Sequence, residues 1–226
     1  MPKIKYREPL SICYNQEDPR YEIGIDEVGR GPMFGRVYSA AVILPKDDTF
    51  KHEWMKDSKR FHSEKKIKEV AEYIKKHSIK WSIGYESEEI IDKQNIRNAT
   101  YGAMHKAIVE IVDKTKVEDY HILVDGNDFK PYMVFSEEYG LQQIPHTTII
   151  GGDDKYTAIA AASILAKVAR DEYISELCEK DPQLNERYDL LKNKGYGTKK
   201  HMEGIMTHGI SEHHRKSFGI CQNYNN

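Results

Sequence analysis

Apolar and polar residues alternate along parts of this chain with strand periodicity and elsewhere with helix periodicity. Five strands are predicted, at residues 22–28, 37–44, 79–85, 121–124 and 147–150. Apolar residues spaced three and four apart predict helices at 63–77, 95–114 and 156–178, and Ser63 is the expected N-cap of the first. The stretch 158–166 is apolar nearly all round, which indicates a buried helix.

The order of these elements indicates the fold class. The short link between the first two strands favours an antiparallel pair, so the first three strands form a meander. The last two strands alternate with helices, and we expect an α/β protein with a mixed five-stranded sheet flanked by helices. A length of 226 residues suits one domain. We expect a loosely packed or disordered polar lead-in at 1–20, the main domain at 21–180 and a helical C-terminal extension at 181–226.

Net charge, cysteine content and the length of apolar runs limit the functions and cellular locations that this chain can have. The net charge of −2 provides no overall positive field, so any nucleic-acid binding must come from a local basic patch. Three widely spaced cysteines cannot form a full disulfide framework, which favours a reducing, cytoplasmic compartment. The first nine residues lack the apolar core of a secretory signal. No apolar run approaches the roughly 18 residues that a membrane helix needs.

Three of the predicted strands end in acidic residues. Asp26 and Glu27 close the first, Asp125 follows the fourth, and Asp153 follows the fifth. Ligands bind at strand ends in α/β sheets, and a carboxylate in apolar surroundings is costly unless it is paired or holds a metal. Oxygen ligands without clustered His or Cys suit Mg²⁺ or Mn²⁺, and four acids suit a two-metal site that acts on a phosphoryl group.

The geometry of a strand complicates this set of acids. Adjacent strand residues point to opposite faces, so Asp26 and Glu27 cannot both aim at one point from a regular strand. Either the strand is distorted at Glu27 or that residue contributes through its carbonyl. Asp154 is interpreted as a solvated acid at a helix start, where the helix dipole favours it, and an exchange of roles with Asp153 is left open.

Several separated motifs resemble the ribonuclease HII family, the type 2 ribonucleases H. In chain order they are Gly-Ile-Asp-Glu-Val-Gly-Arg-Gly-Pro at 24–32, Asp-Ser-Lys at 57–59, Asn-Ile with Ala-Thr at 95–100, Val-Asp-Gly at 124–126, Gly-Asp-Asp-Lys at 152–155, residues 160–167 with Arg170-Asp171, Gly-Tyr-Gly-Thr at 195–198 and His-Arg-Lys-Ser-Phe at 214–218. The resemblance covers about residues 21–218. It implies a ribonuclease H-like fold and hydrolysis of the phosphodiester 5′ of a ribonucleotide in duplex nucleic acid, as in ribonucleotide excision repair. The products would carry 3′-hydroxyl and 5′-phosphate ends.

The resemblance also implies roles for individual residues. The catalytic, metal-binding acids would be Asp26, Glu27, Asp125 and Asp153. The ribonucleotide would be read by Gly29, Arg30, Gly31 and Tyr196. The candidate phosphate contacts are Lys59, Lys167, Lys194, Lys199, Lys200 and Arg215. The substrate would be an RNA–DNA hybrid or a DNA duplex with an embedded ribonucleotide. We expect a monomer, and binding to a replication clamp is left open.

Two departures from the family pattern concern substrate contacts. The family commonly has smaller residues at Met33 and Phe34 and a proline in place of Arg36, and the segment 46–92 is unusually rich in lysine. Only about 20 residues precede the first strand, which favours type 2 over the related type 3 enzymes with their extra N-terminal domain.

Three other functions fit the sequence less well. An inactive nucleic-acid-binding module of the same fold is the alternative, and retention of all four acids disfavours it. A P-loop around the glycines at 29–35 is excluded because no Gly-Lys-Ser/Thr follows. A zinc site formed by His201, His208, His213 and His214 lacks cysteine partners and typical spacing.

Overall fold

The computed structural model describes residues 8–224. The strands are β1 (Tyr21–Val28), β2 (Val37–Ile43), β3 (Lys80–Glu86), β4 (Tyr120–Asp125), β5 (Met133–Ser136), β6 (Gly140–Gln143) and β7 (His146–Ile149). The helices are α1 (Glu64–His77), α2 (Glu88–Gln94), α3 (Ile96–Val109), α4 (Thr157–Lys180), α5 (Pro182–Tyr188), α6 (Leu190–Asn193) and α7 (Lys199–His208). The five predicted strands and three predicted helices are all present, with ends that shift by a few residues.

Five strands form a mixed sheet in the order β3-β2-β1-β4-β7. The pairs β1–β2 and β2–β3 are antiparallel, and β4 runs parallel to β1 and to β7. This confirms the predicted mixed five-stranded sheet, in which the first three strands form an antiparallel meander. The register pairs Ile25 with Val124, so the next residues, Asp26 and Asp125, lie side by side where β1 and β4 end.

Helices cover both faces of the sheet, and β1 shows how the sequence arranges this. Ile23 and Ile25 are fully buried in the cluster that includes α3, because alternate residues of a strand share one face. On the opposite face Gly24 lies directly against the first turn of α4, where an added Cβ would collide with the backbone of Ala158. The alanines of α4 and apolar residues of α1 complete the core on that side.

The residues before β1 are more ordered than expected. Ser11 donates its N–H to the Lys155 carbonyl at 2.8 Å and accepts from the Thr157 N–H at 3.0 Å. The carboxylate of Glu22 accepts the backbone N–H groups of Tyr14 and Asn15. The prediction of a loosely packed or disordered lead-in is therefore wrong for residues 8–20, and residues 1–7 lie outside the described part.

Five short elements carry too weak a signal to be recognised in the sequence as separate units. The hairpin β5–β6 and the one-to-two-turn helices α2, α5 and α6 are each only four to seven residues long. Along residues 8–224 none of the helices is long and apolar enough to span a lipid bilayer. All three cysteines are free thiols.

Candidate active site

Three of the four predicted acids meet at the ends of β1, β4 and the loop after β7. Oxygen atoms of Asp26, Asp125 and Asp153 all lie within 4.8 Å of one another. Asp153 sits in a short 3₁₀ turn, Gly152–Asp154, that leads into α4. Asp125 accepts the Gly152 N–H at 2.6 Å, so the carboxylate at the end of β4 also fixes that turn.

The environment of the trio opposes negative charge. Burial raises the pKa of Asp26 well above its usual range, and the charges of Glu27 and Asp125 raise it further. Burial and then the charge of Asp125 raise the pKa of Asp153 to about 6. The Lys59 ammonium lies 3.9 Å from a carboxylate oxygen of Asp153. Carboxylates this close, with so little compensating charge, favour a bound cation.

Glu27 does not join this trio. Its carboxylate lies on the α3 side of the sheet, where it pairs with Arg30 at 3.2 Å and lines a groove together with Asp125. β1 is regular through Glu27, which still pairs with Ser39 of β2. The strand is thus undistorted, and the alternation that separates Asp26 from Glu27 by face holds. Burial raises the pKa of Glu27.

The donor set of the trio fits a hard divalent cation. All the side-chain donors are carboxylate oxygens, as Mg²⁺ and Mn²⁺ prefer. Asp154 lies outside the trio and pairs with Arg60 at 3.2 Å. Within residues 8–224 the trio is the one such group of potential ligands, and the C-terminal histidines form no second site.

The Gly-Arg-Gly turn after β1 is held from inside by Arg215. This side chain has no exposed surface and lies beneath the turn. At 2.6–3.2 Å its guanidinium donates to the carbonyls of Gly29, Arg30, Pro32 and Gly35. The expected phosphate contact of Arg215 is therefore a wrong assignment, because its donors are occupied by backbone carbonyls in the interior. Its role is to position the turn.

Arg170 of α4 is a second buried arginine that sequence reasoning passed over as part of a motif. It donates to the carbonyls of Phe34, Arg36 and Lys194 at 2.9–3.3 Å. It therefore ties the loop that follows Gly29 to the loop that carries Tyr196. An arginine that follows a long apolar helical stretch is the sequence signal that could have identified it, because buried charge must be fully hydrogen-bonded.

Tyr196 lies beside the Gly-Arg-Gly turn. Its ring carbon Cε1 is 3.4 Å from where a Cβ on Gly31 would stand, and 47% of the residue is exposed. The Met33 N–H donates to the Gly195 carbonyl at 3.0 Å, which joins the two loops. The structure thus brings together two features that lie about 165 positions apart in the sequence.

The predicted lysine contacts differ in accessibility. The side chain of Lys59 is 81% exposed, next to the acidic trio. Lys167 is half-buried and pairs with Asp171 at 2.8 Å. The remaining three also have acidic neighbours: Lys194 with Glu64, Lys199 with Glu203 and Lys200 with Asp189.

The departures at 33–36 face inward. Phe34 is fully buried, with its ring edge-on to His214 at a centroid distance of 5.0 Å. The guanidinium of Arg36 lies between the rings of Tyr85 and Tyr173, at 4.3 and 4.4 Å from their centroids. Phe34 thus packs against the C-terminal segment, whereas Arg36 packs between β3 and α4.

Solved structures with this fold include two of clear relevance. RNase HII of Archaeoglobus fulgidus, solved as a PCNA:RNase HII complex, superposes with a TM-score of 0.64 at 23% identity, over 88% of this chain and 96% of that chain. Bst-RNase HIII in complex with Mn²⁺ gives 0.58 at 16% identity, over 85% and 71%. These likenesses establish a ribonuclease H-like fold.

Sequence similarity is closer. A family model described as Ribonuclease HII matches residues 23–221. The Ribonuclease HII of Parabacteroides distasonis is 48% identical over 90% of this chain and 92% of its own, and that of Bacteroides fragilis is 47% identical over 88% and 89%. The chain belongs to the ribonuclease HII family. The resemblance drawn from its motifs is confirmed, including the assignment to type 2.

Proposed function

We propose that this protein is an endonuclease that cuts the phosphodiester 5′ of ribonucleotides, in RNA–DNA hybrids and at single ribonucleotides in duplex DNA. The observation that carries the proposal is the adjacency of two features. The acidic trio stands at the end of β1, and three residues later the chain forms the turn that contacts Tyr196. A cation site and a surface suited to a ribose are thus neighbours.

The acidic side chains would supply the reaction centre. Asp26, Asp125 and Asp153 would hold a divalent cation, and Glu27 with Asp125 faces the groove where a second one would complete the expected pair. Such ions stabilise the charge that develops on a phosphoryl group during in-line displacement. Water would bond to phosphorus as the bond to the upstream 3′ oxygen breaks, and that oxygen would take up a proton. The upstream strand then ends in a 3′-hydroxyl, and the ribonucleotide keeps a 5′-phosphate.

The Gly-Arg-Gly turn is suited to recognising the 2′-hydroxyl through its backbone. In a trans peptide the carbonyl and the following N–H point in opposite directions. The carbonyls of Gly29 and Arg30 point inward to Arg215. The N–H groups of Arg30 and Gly31 therefore point outward, and a ribose hydroxyl could accept from them. The 2′-hydroxyl is the group that distinguishes RNA from DNA.

Tyr196 would read the nucleotide that follows. Its half-exposed ring lies against Gly31, where it could stack on the sugar of a deoxynucleotide. A 2′-hydroxyl on that sugar would crowd the ring. The two loops together would thus favour a ribonucleotide followed by a deoxynucleotide, with Lys59 and Lys167 as candidate phosphate contacts.

The choice of ion and the partners remain predictions. Mg²⁺ and Mn²⁺ both suit carboxylate ligands, and the HIII relative was solved with Mn²⁺. The Archaeoglobus relative was solved with PCNA, so a replication clamp is a candidate partner here, to be tested by co-elution. A monomeric state and a cytoplasmic location rest on the sequence alone.

The test uses three labelled duplexes: all DNA, DNA with one ribonucleotide, and a full RNA–DNA hybrid. Each is incubated with Mg²⁺, with Mn²⁺ and with a chelator, and the product ends are mapped. We expect cleavage of the second and third duplexes only, 5′ of the ribonucleotide and only with metal. Binding without cleavage under every metal condition would favour the inactive binding module instead.

A further inference from the structure

Two histidines outside the acidic trio form a buried pair that the proposed reaction does not use. His201 and His214 are 0% and 1% exposed, and their Nε2 atoms are 3.1 Å apart. His201 Nδ1 lies 2.9 Å from the Tyr196 carbonyl oxygen. At the other end, His214 Nδ1 lies 2.9 Å from both the backbone nitrogen and the hydroxyl of Ser211.

The groups at the two ends of this hydrogen-bonded series, Ser211 and Tyr196, determine which ring nitrogen of each histidine carries a proton. The Ser211 N–H can only donate, so His214 Nδ1 carries a lone pair and the proton of that ring is on Nε2. The facing Nε2 of His201 must then accept, which places the proton of that ring on Nδ1. This proton is donated to the Tyr196 carbonyl, which can only accept. The hydrogen bonds therefore run in one direction, from Ser211 to Tyr196.

Both rings are neutral in this arrangement. A charged His214 would direct a proton from Nδ1 at the Ser211 N–H, and a charged His201 would direct one at the Nε2 proton of His214. Burial, followed by the effect of His201, lowers the pKa of His214 to about 3, and burial lowers the pKa of His201. The directed chain is therefore the arrangement present at neutral pH.

The hydrogen-bonded chain ends at the carbonyl of Tyr196. Tyr196 stands between two glycines, and its N–H donates to the Asn193 carbonyl at 3.0 Å, while its carbonyl accepts the Thr198 N–H at 2.8 Å. The His201 Nδ1–H adds a side-chain hydrogen bond to that same carbonyl. His214 is next to Arg215, which holds the Gly-Arg-Gly turn. Two consecutive residues thus anchor the two sides of the contact between Tyr196 and Gly31.

We propose that His201 and His214 are positioning residues that hold Tyr196 against the Gly-Arg-Gly turn and so set selectivity for the RNA-to-DNA junction. The role in selectivity rests on the proposed function. The hydrogen-bonded chain itself does not, because its two tautomers can be observed without substrate.

The first test is spectroscopic. Long-range ¹H–¹⁵N correlation spectra of ¹⁵N-histidine protein at pH 7 report which ring nitrogen carries the proton. We expect the Nδ1–H tautomer for His201 and the Nε2–H tautomer for His214, assigned with single variants. The reversed tautomers, or a charged ring, would overturn the proposal whether or not the protein is a nuclease.

The second test compares two substitutions at one position. His201→Asn keeps a donor near the Nδ1 position, whereas His201→Leu keeps bulk but no donor. For Leu we expect kcat/KM on the single-ribonucleotide duplex to fall about tenfold, and on the long hybrid less than twofold. Asn should recover most of the loss. Equal losses on both substrates, or equal losses for Asn and Leu, would overturn the positioning role.

A readout independent of turnover separates this proposal from the proposed function. With 3-fluorotyrosine protein, the Tyr196 resonance, assigned by Tyr196→Phe, should shift or broaden in His201→Leu and stay near its wild-type position in His201→Asn. An unchanged resonance in the Leu variant would contradict the proposal. Should that variant fail to fold, the tautomers and His214→Phe, which keeps the ring packing against Phe34 and Tyr188, decide the question. Failure of the wild type to cut the single-ribonucleotide duplex would refute only the function.

Discussion

The same end of the sheet buries charge in two opposite ways. At the acidic trio, three carboxylates of one sign lie together, and the pKa values of Asp26 and Asp153 are raised. Beneath the Gly-Arg-Gly turn, the arginines Arg170 and Arg215 are just as buried, yet seven hydrogen bonds to backbone carbonyls give every guanidinium nitrogen a partner. The first region is incomplete without a cation, whereas the second is complete in the protein alone.

The difference matches two roles: the acidic trio is suited to chemistry, and the buried arginines are suited to holding the loops in place. A site that binds a cation and acts on a charged substrate must contain charge that the protein itself leaves uncompensated, and this lowers the stability of the fold. A support that must hold a loop in one place gives each buried nitrogen a hydrogen-bond partner, which rigidifies it. Substitutions in the two regions should therefore have opposite signatures: loss of activity with gain of stability in one, and loss of stability in the other.

The largest effect is expected from Asp125→Asn. It removes one charge from the trio, so turnover should fall at least about 1,000-fold, or roughly 4 kcal/mol in the barrier. The fold should persist, and without metal the melting temperature should rise because repulsion falls. Turnover and circular dichroism are measured beside Asp154→Asn, which lies outside the trio and should stay within about threefold. Turnover of Asp125→Asn within about threefold of wild type would remove Asp125 from the site.

Arg215→Lys should give the opposite signature. An ammonium has three donors and lacks the planar fork, so buried carbonyls of the turn would lose partners. We expect the free energy of unfolding to fall by about 2–4 kcal/mol. The matched control is Arg30→Lys, whose side chain is about half exposed and which should change stability by less than about 0.5 kcal/mol. Urea unfolding measures both, and equal losses would mean that burial of Arg215 does not matter.

These two predictions also mark what the sequence could and could not provide. Strand alternation placed Asp26 and Glu27 on opposite faces, and strand ends placed the acids together, because both follow from local periodicity. The inward direction of Arg215 did not follow, because an arginine in a polar C-terminal segment has the same local pattern whether it meets phosphate or backbone carbonyls. The histidine pair was equally hidden, since only tertiary contacts bring His201 to His214.

Tyr196→Ala tests what the support is for. Loss of the ring should cost about 1–3 kcal/mol of stacking, by analogy with base–aromatic stacking. Cleavage at a single ribonucleotide in DNA should slow more than cleavage within a long hybrid. Tyr196→Phe, which keeps the ring, serves as the control and should retain most of the discrimination. Equal slowing on both substrates would make Tyr196 a general support residue.

The smallest effect concerns stability against pH in the absence of metal. The pKa of Asp153 is raised to about 6, so the native state keeps a proton that the unfolded state loses near pH 4. This contribution to stability is present at low pH and is lost as pH rises from about 4 to about 6. Asp153→Asn should therefore gain more stability over wild type at pH 7 than at pH 4.5, by about 1–2 kcal/mol. Urea titrations with a chelator at both values measure it, and a gain independent of pH would contradict the assigned cause.

In the region of the buried arginines, the buried position of His214 predicts the reverse dependence of stability on pH. Its lowered pKa means that the unfolded state takes up a proton below about pH 6.5 that the native state refuses. A fall in pH should therefore destabilise the region around His214, while it reduces the repulsion among the carboxylates of the acidic trio. The free energy of unfolding of His214→Phe and of wild type, compared over pH 4.5–7, isolates the contribution of His214. An identical pH dependence of the two proteins would argue against a neutral buried pair.

The glycine at position 24 has a consequence for how far this centre can vary. Because it has no side chain, α4 rests directly on β1, and Asp153, four residues before the start of that helix, comes within reach of Asp26. One additional methyl group there would lift the helix and carry Asp153 away with it. The absence of a Cβ atom at Gly24, two residues before Asp26, thus sets how closely the carboxylates of Asp26, Asp125 and Asp153 approach one another.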